Sequence, residues 1–196
     1  MKDRTAKIER KTAETDISIE LNLDGSGEYA IETGIPFFNH MLDLLAKHAL
    51  FDLEIRAHGD LDVDYHHTVE DVGLALGEAL DVALGERRGI RRYGSSLVPM
   101  DEALSRVAID LGGRPYLVYK MAIKERKIRD FDLFLIKHFF ESFSQKGRMN
   151  LHIEQVYGED AHHAYESVYK GVAKALDVAC SLDPRVKGVP SSKGTL

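Results

Sequence analysis

The stretch His66-His67-Thr68-Val69-Glu70 returns near the end of the chain as His162-His163-Ala164-Tyr165-Glu166. Working outward from this pair, the flanking sequence falls into the same register. Asn39-His40-Met41-Leu42 lies over Lys137-His138-Phe139-Phe140, and Asp52-Leu53-Glu54-Ile55 over Asn150-Leu151-His152-Ile153. A short acidic loop bearing glycine follows in each copy, Gly59 to Asp64 and Gly158 to Asp160. Ala79-Leu80-Asp81-Val82-Ala83 then lies over Ala175-Leu176-Asp177-Val178-Ala179. Matches in one order along two stretches mark a duplicated supersecondary unit.

The elements repeat with the motifs. Ile17, Ile19, Leu21 and Leu23 alternate with polar residues, as in a half-buried strand. Asp24-Gly25-Ser26-Gly27 reads as a turn from which Glu28 to Glu32 returns as a strand. Pro36 suits the first turn of a helix over Phe37 to His48, and Phe51 to Ala57 reads as a strand. Val69, Val72, Leu76 and Ala83 recur at helical spacing within Tyr65 to Leu84. In the second copy, strands near Ala103 to Leu111 and Tyr116 to Met121 flank a hairpin turn at Gly112-Gly113-Arg114-Pro115. A helix over Leu133 to Ser144, a strand over Met149 to Val156 and a helix over Ala161 to Cys180 complete it.

The expected fold is α+β, a tandem duplication of two similar halves. Each half is a four-stranded, mostly antiparallel sheet with two helices on one face. The first repeat spans residues 1–90 and the second 91–182, meeting in the Arg- and Gly-rich stretch Gly85 to Gly94. Residues 183–196 form an irregular tail. The sheet faces left bare by the helices are expected to pack between halves or between copies of the chain.

Composition narrows the class. The chain has 196 residues, 26 basic and 32 acidic, with a net charge of −6 and 44% hydrophobic residues. A packed core is therefore affordable and disorder is excluded for most of the length. A mildly acidic chain without a long basic run is not built for nucleic acid. No apolar stretch reaches bilayer length, and Met1 to Arg10 carries no apolar signal region. The single Cys180 cannot close an internal disulfide, and a cytoplasmic location is expected.

Helical residues four apart lie one above the other, so His66 with Glu70, and His162 with Glu166, can each grip one cation. His67 and His163 sit about a quarter turn away, poorly placed for that ion. Two metals resolve this, each helix giving a pair to one and a single histidine to the other. His40 and His138, equivalent in the preceding helices, are the natural fourth ligands. The set is then six histidines and two glutamates. Imidazole and carboxylate without thiolate suit Mn, Fe, Co, Ni or Zn, and six-coordination points toward manganese. One His–Glu pair on a helix is commonly a plain surface pair. Its recurrence at equivalent points of a repeat, with a doubled histidine each time, favours metal.

Several further motifs stand in order: Gly34-Ile35-Pro36-Phe37-Phe38-Asn39-His40-Met41-Leu42, His66-His67-Thr68-Val69-Glu70-Asp71, Asp101-Glu102-Ala103-Leu104-Ser105-Arg106, Asp110-Leu111-Gly112-Gly113-Arg114-Pro115, His162-His163-Ala164-Tyr165-Glu166 and Pro190-Ser191-Ser192-Lys193-Gly194. Together they resemble the imidazoleglycerol-phosphate dehydratase family, from about Arg10 to Gly194. The resemblance implies dehydration of D-erythro-imidazole glycerol phosphate to imidazole acetol phosphate in histidine biosynthesis. It implies two Mn(II) per active site, held by His40, His66, His67, Glu70, His138, His162, His163 and Glu166. It also implies a homo-oligomer of twenty-four subunits built from trimers, with sites at subunit interfaces.

The chemistry gives these residues work. The proton removed lies beside a hydroxyl rather than a carbonyl, so charge must go into the substrate's own ring. An imidazolate held between two cations can take it, each metal acting as a Lewis acid on a ring nitrogen. The ring then expels the hydroxyl through a diazafulvene-like intermediate. By the resemblance, Glu14 handles the proton, with Glu70 and Glu166 as metal-side carboxyls able to share the duty. Arg92, Arg114, Lys170, Ser191, Ser192 and Lys193 are the expected phosphate contacts, the last three bringing the tail into the substrate site. His40, His66 and His162 border the substrate, and His48, two turns beyond His40 on the same face, joins them.

Two rival classes are weighed on the same residues. A metal-buffering protein has no use for Glu14, Arg114 and Lys193. A dinuclear metallohydrolase often uses bridging aspartates, whereas the candidate ligands that the repeat matches here are histidines and glutamates.

Overall fold

A computed structural model describes residues 4–196; Met1 to Asp3, the first residues of the charged start, lie outside the described residues. The first half runs β1 (Thr5–Lys11), β2 (Thr15–Asn22), β3 (Tyr29–Glu32), α1 (Pro36–Ala49), β4 (Asp52–Gly59) and α2 (His66–Leu84). The second runs β5 (Tyr93–Met100), β6 (Ala103–Asp110), β7 (Tyr116–Lys120), a small pair β8 (Lys127–Ile128) and β9 (Phe131–Asp132), α3 (Phe134–Lys146), β10 (Asn150–Tyr157) and α4 (Ala161–Cys180). Strand orders are β1-β2-β4-β3 and β5-β6-β10-β7, so the two four-stranded sheets have one topology. The fold is the duplicated α+β arrangement that the repeat implies.

Two local expectations need correcting. The turns at Asp24 to Gly27 and Gly112 to Pro115 do not close hairpins. β4 inserts between β2 and β3, and β10 between β6 and β7. β3 and β7 therefore run parallel to their neighbours, while the other pairs are antiparallel. Two edge strands, β1 and β5, also extend each sheet beyond the strands that alternation marks. β1 alternates exposed with half-buried residues and buries none fully, so it lacks the apolar signature of β2, where Ile17, Ile19 and Leu21 all point inward.

The halves meet through their helices. α1 packs on α4 and α2 on α3, so the four helices lie between the two sheets and share one apolar core. The stripe Phe38, Met41, Leu42, Leu45, Ala46 and Ala49 turns α1 inward. Close approach of α2 to α3 depends on Gly73 and Gly77. A Cβ at these positions would lie 2.7 Å from the Phe139 carbonyl oxygen and 2.6 Å from that of Phe143. Packing helix on helix leaves the outer sheet faces bare. Packing of those faces between the halves is thus ruled out, and they carry exposed charge pairs, Lys7 with Glu20 and Arg106 with Glu154.

Candidate metal centre

The first turns of α4 stack His162 and Glu166, and α1 carries His40 against them from the other half of the chain. His40 Nε2 and His162 Nε2 each lie 3.0 Å from Glu166 Oε1. The ligating atoms of these three residues fall within 4.8 Å of one another. Glu166 is buried, and the imidazoles are half-buried. Burial pushes the Glu166 carboxyl up, but the Lys170 ammonium, His40 and His162 outweigh it and hold the group at about 2. Lys170 Nζ sits 2.5 Å from Glu166 Oε2 and 3.2 Å from Met100 Sδ.

A second cluster mirrors the first. α2 stacks His66 and Glu70, with Nε2 to Oε2 at 3.3 Å. α3 brings His138 edge-on to His66, the ring centroids 4.8 Å apart. The two halves therefore exchange ligands: each His–Glu pair receives its third member from the opposite half. The α1–α4 and α2–α3 packings set this exchange, and the repeat puts the two clusters at equivalent positions; among the described residues the first alone brings three ligating atoms within 4.8 Å of one another.

His67 and His163 stand outside both clusters. His67 Nδ1 lies 3.0 Å from Asp60 Oδ2, and its Nε2 3.7 Å from Glu14 Oε1. His163 Nδ1 lies 2.8 Å from Glu102 Oε2, and its Nε2 3.7 Å from Asp101 Oδ2. The Asp60 and Glu102 hydrogen bonds raise the pKa of these imidazoles above the ordinary value. The same bond from His163, helped by the Asp160 backbone N–H, holds Glu102 at about 2. Carboxylates on one ring nitrogen fix the tautomer and leave the other for a cation. Sequence reasoning singled out Glu14 but missed Asp60, Asp101 and Glu102 as partners of these rings. The strand register carries a signal for one of them. Glu14 directly precedes β2 and Glu102 directly precedes β6, so the two occupy equivalent turns.

The expected phosphate residues fall into two groups. Lys170 lies on the first cluster. His48 also faces α4, where burial and then Lys170 and Lys174 lower its pKa. The others gather elsewhere. The Arg92 guanidinium donates to Asp110 at 2.6 Å and to the Pro190 carbonyl at 2.9 Å. Arg114 is exposed, its carbonyl accepting from Asn150 at 2.6 Å. Ser191 Oγ accepts from the Lys193 backbone N–H at 3.2 Å, and Ser192 and Lys193 are exposed. These groups lie where β5 starts and β6 ends, whereas Lys170 touches Met100 at the opposite end of β5. A strand of that length spans roughly 23 Å. Arg92, Arg114 and the tail thus lie about a strand's length from the His40–His162–Glu166 cluster of the same chain.

The donors are imidazole and carboxylate throughout, and the free thiol, Cys180, is buried with its pKa pushed up by burial to about 12. Such a set fits a borderline or hard divalent ion rather than a thiophilic one. Among the described residues no helix is long and apolar enough to cross a membrane.

Comparison with known proteins gives the family. The imidazoleglycerol-phosphate dehydratase family matches over residues 33–176. The dehydratase of Citrifermentans bemidjiense is 53% identical over 193 residues, covering 98% of this chain and 99% of the relative. That of Methylorubrum extorquens is 53% identical over 194 residues, covering 98% and 100%. The solved Pyrococcus furiosus dehydratase superposes with a TM-score of 0.83 at 36% identity, covering 96% of this chain and 100% of that one. The Staphylococcus aureus structure gives 0.83 at 32% identity, covering 91% and 99%. With two exchanged His–His–Glu clusters on a duplicated α+β frame and relatives matched end to end, the chain belongs to the imidazoleglycerol-phosphate dehydratase family of carbon–oxygen lyases.

Proposed function

We propose that this chain removes water from D-erythro-imidazole glycerol phosphate to give imidazole acetol phosphate, a step of cytoplasmic histidine biosynthesis, using two Mn(II) ions per active site. One observation carries the reading: the repeat builds two equivalent clusters, His40–His162–Glu166 and His66–Glu70–His138, by exchanging histidines between halves. Ions held by these residues would supply Lewis acidity to the substrate's azole ring, which could then carry the charge that an adjacent carbonyl carries in other eliminations.

The protein's own groups do the rest. Each cluster has three ligands from one chain, and His67 and His163, each held at Nδ1 by Asp60 or Glu102, complete the clusters of neighbouring copies through Nε2. The separation of Arg92, Arg114, Ser191, Ser192 and Lys193 from the clusters supports the same conclusion, since a neighbour must supply them. A homo-oligomer follows, in keeping with twenty-four subunits built from trimers. Arg114, Lys193 and the two serine hydroxyls bind the phosphate, joined by Lys170 from the cluster side. Arg92 acts through the Pro190 carbonyl, holding the tail in place. Glu14, exposed beside His67, moves the proton on the side-chain carbons as the ring passes through a diazafulvene-like state.

Incubating purified protein with Mn(II) and imidazole glycerol phosphate tests the reading. The ketone product is expected. Release of inorganic phosphate would instead mark a hydrolase, and no turnover a metal-storage protein.

A further inference from the structure

The repeat makes the two clusters equivalent in ligands but not in charge. Lys170 follows Glu166 by one helical turn, and its ammonium lies 2.5 Å from Glu166 Oε2. The register that places His162 over His66 and Glu166 over Glu70 places Lys170 over Leu74. Leu74 brings no charge, and among the described residues no lysine or arginine pairs with Glu70, whose ion-pair partner is His66. The nearest lysine pairing on that side, Lys137 with Glu141 at 3.3 Å, falls on a carboxylate outside the proposed ligand set. Glu141 itself lies 3.3 Å from His138 Nδ1 and adds negative charge beside that cluster. Burial differs as well, since the Glu166 side chain is 11% exposed and that of Glu70 44%. A cation entering the first cluster, where both imidazoles converge on Glu166 Oε1, shares that carboxylate with the ammonium on Oε2 and sits close to its positive charge. A cation entering the second meets no such competitor.

We propose that the two cation sites differ in affinity, the His66–Glu70–His138 site filling first and the His40–His162–Glu166 site second, with Lys170 as the residue that sets the difference. This rests on the dimetal reading above and adds an order to it. Lys170 acts here as a positioning residue. Its ammonium holds the Glu166 carboxylate in place through their close pair, and it weakens the site for a divalent ion. A unit charge a few ångströms from a half-buried ion changes its affinity by about tenfold or more.

The test is Mn(II) binding to the chelator-treated full-length protein, followed by calorimetry and by the electron paramagnetic resonance signal of free ion. Two affinity classes per chain are expected. Lys170→Met should tighten the weaker class by about tenfold and bring the two together, whereas Lys170→Arg should keep them apart. Leu74→Lys should weaken the stronger class. His138→Ala should leave only the weaker one. Equal classes in the parent protein, or constants indifferent to Lys170→Met, would overturn the proposal while leaving the dimetal reading intact. Absence of any Mn(II) binding would remove both. Unchanged circular dichroism in the variants confirms that binding, and not folding, is being read.

Discussion

The imidazoles of His66 and His138 meet edge-on, 4.8 Å between centroids, although one belongs to the first copy of the repeat and the other to the second. Contact of α2 with α3 makes this pairing, and contact of α1 with α4 makes its counterpart, His40 with His162 at 5.5 Å. Each proposed metal site is thus a product of the interface between halves. His138→Ala should therefore lose the same ion as Glu70→Gln, leaving the ion held by His40, His162 and Glu166. The double variant should lose no more than either single one. Metal content by mass spectrometry checks this; loss of different ions by the two variants would break the pairing.

Gly73→Ala connects packing to the site. Its new Cβ would stand 2.7 Å from the Phe139 carbonyl oxygen and 3.0 Å from Ser142 Cβ. Backbone cannot yield cheaply, so α2 and α3 must separate, at about 1–3 kcal/mol. His66 and Glu70 then draw away from His138. Thermal unfolding should show a lower Tm together with weaker Mn(II) retention, and a normal Tm would show that the crossing tolerates the methyl group.

Acid should release the turn between β2 and β3. Asp52 accepts backbone N–H bonds from Ser26 at 2.8 Å and Glu28 at 3.1 Å, which hold its carboxyl below the ordinary value. A depressed folded pKa means that the stabilisation is present above the unfolded carboxylate pKa and disappears as pH falls through the folded one. The window therefore lies below about pH 4. Asp52→Asn should flatten the acid limb of stability against pH and change little at neutrality beyond about 1 kcal/mol from lost hydrogen bonds. Urea titrations at several pH values read this directly.

Arg87 anchors the junction between the halves. Its guanidinium is buried and donates at 2.9 Å to the carbonyls of Leu111, Gly147 and Arg148, and it pairs with Asp81. Arg87→Met strands these acceptors and should cost about 3 kcal/mol in denaturant unfolding. A cost under half of that would mean that water replaces the guanidinium.

Much of this was legible in the sequence. The doubled histidines and their carboxylates four residues on placed α2 and α4 and set His66 beside Glu70 and His162 beside Glu166. The alternation from Ile17 to Leu23 placed β2. What escaped is non-local. Asp24 to Gly27 and Gly112 to Pro115 have turn chemistry that resembles a hairpin, and nothing near them announces that β4 or β10 inserts between the strands they join. β1 and β5 sit at sheet edges, where side chains need not be apolar. The exchange of His40 and His138 between halves follows from helix packing, which periodicity does not reveal. Arg87 reads as one of several surface arginines between Gly85 and Gly94, because the carbonyls that bury it come from residues distant in the chain.

The central claim is that two cations sit in clusters built across the repeat. An anomalous-scattering map of Mn(II)-loaded crystals, recorded at the manganese edge, tests it most directly. Two peaks per chain are expected, one among His40, His162 and Glu166 and the other among His66, Glu70 and His138, each with a further histidine from a neighbouring copy. A single peak, or peaks away from these six side chains, would contradict it.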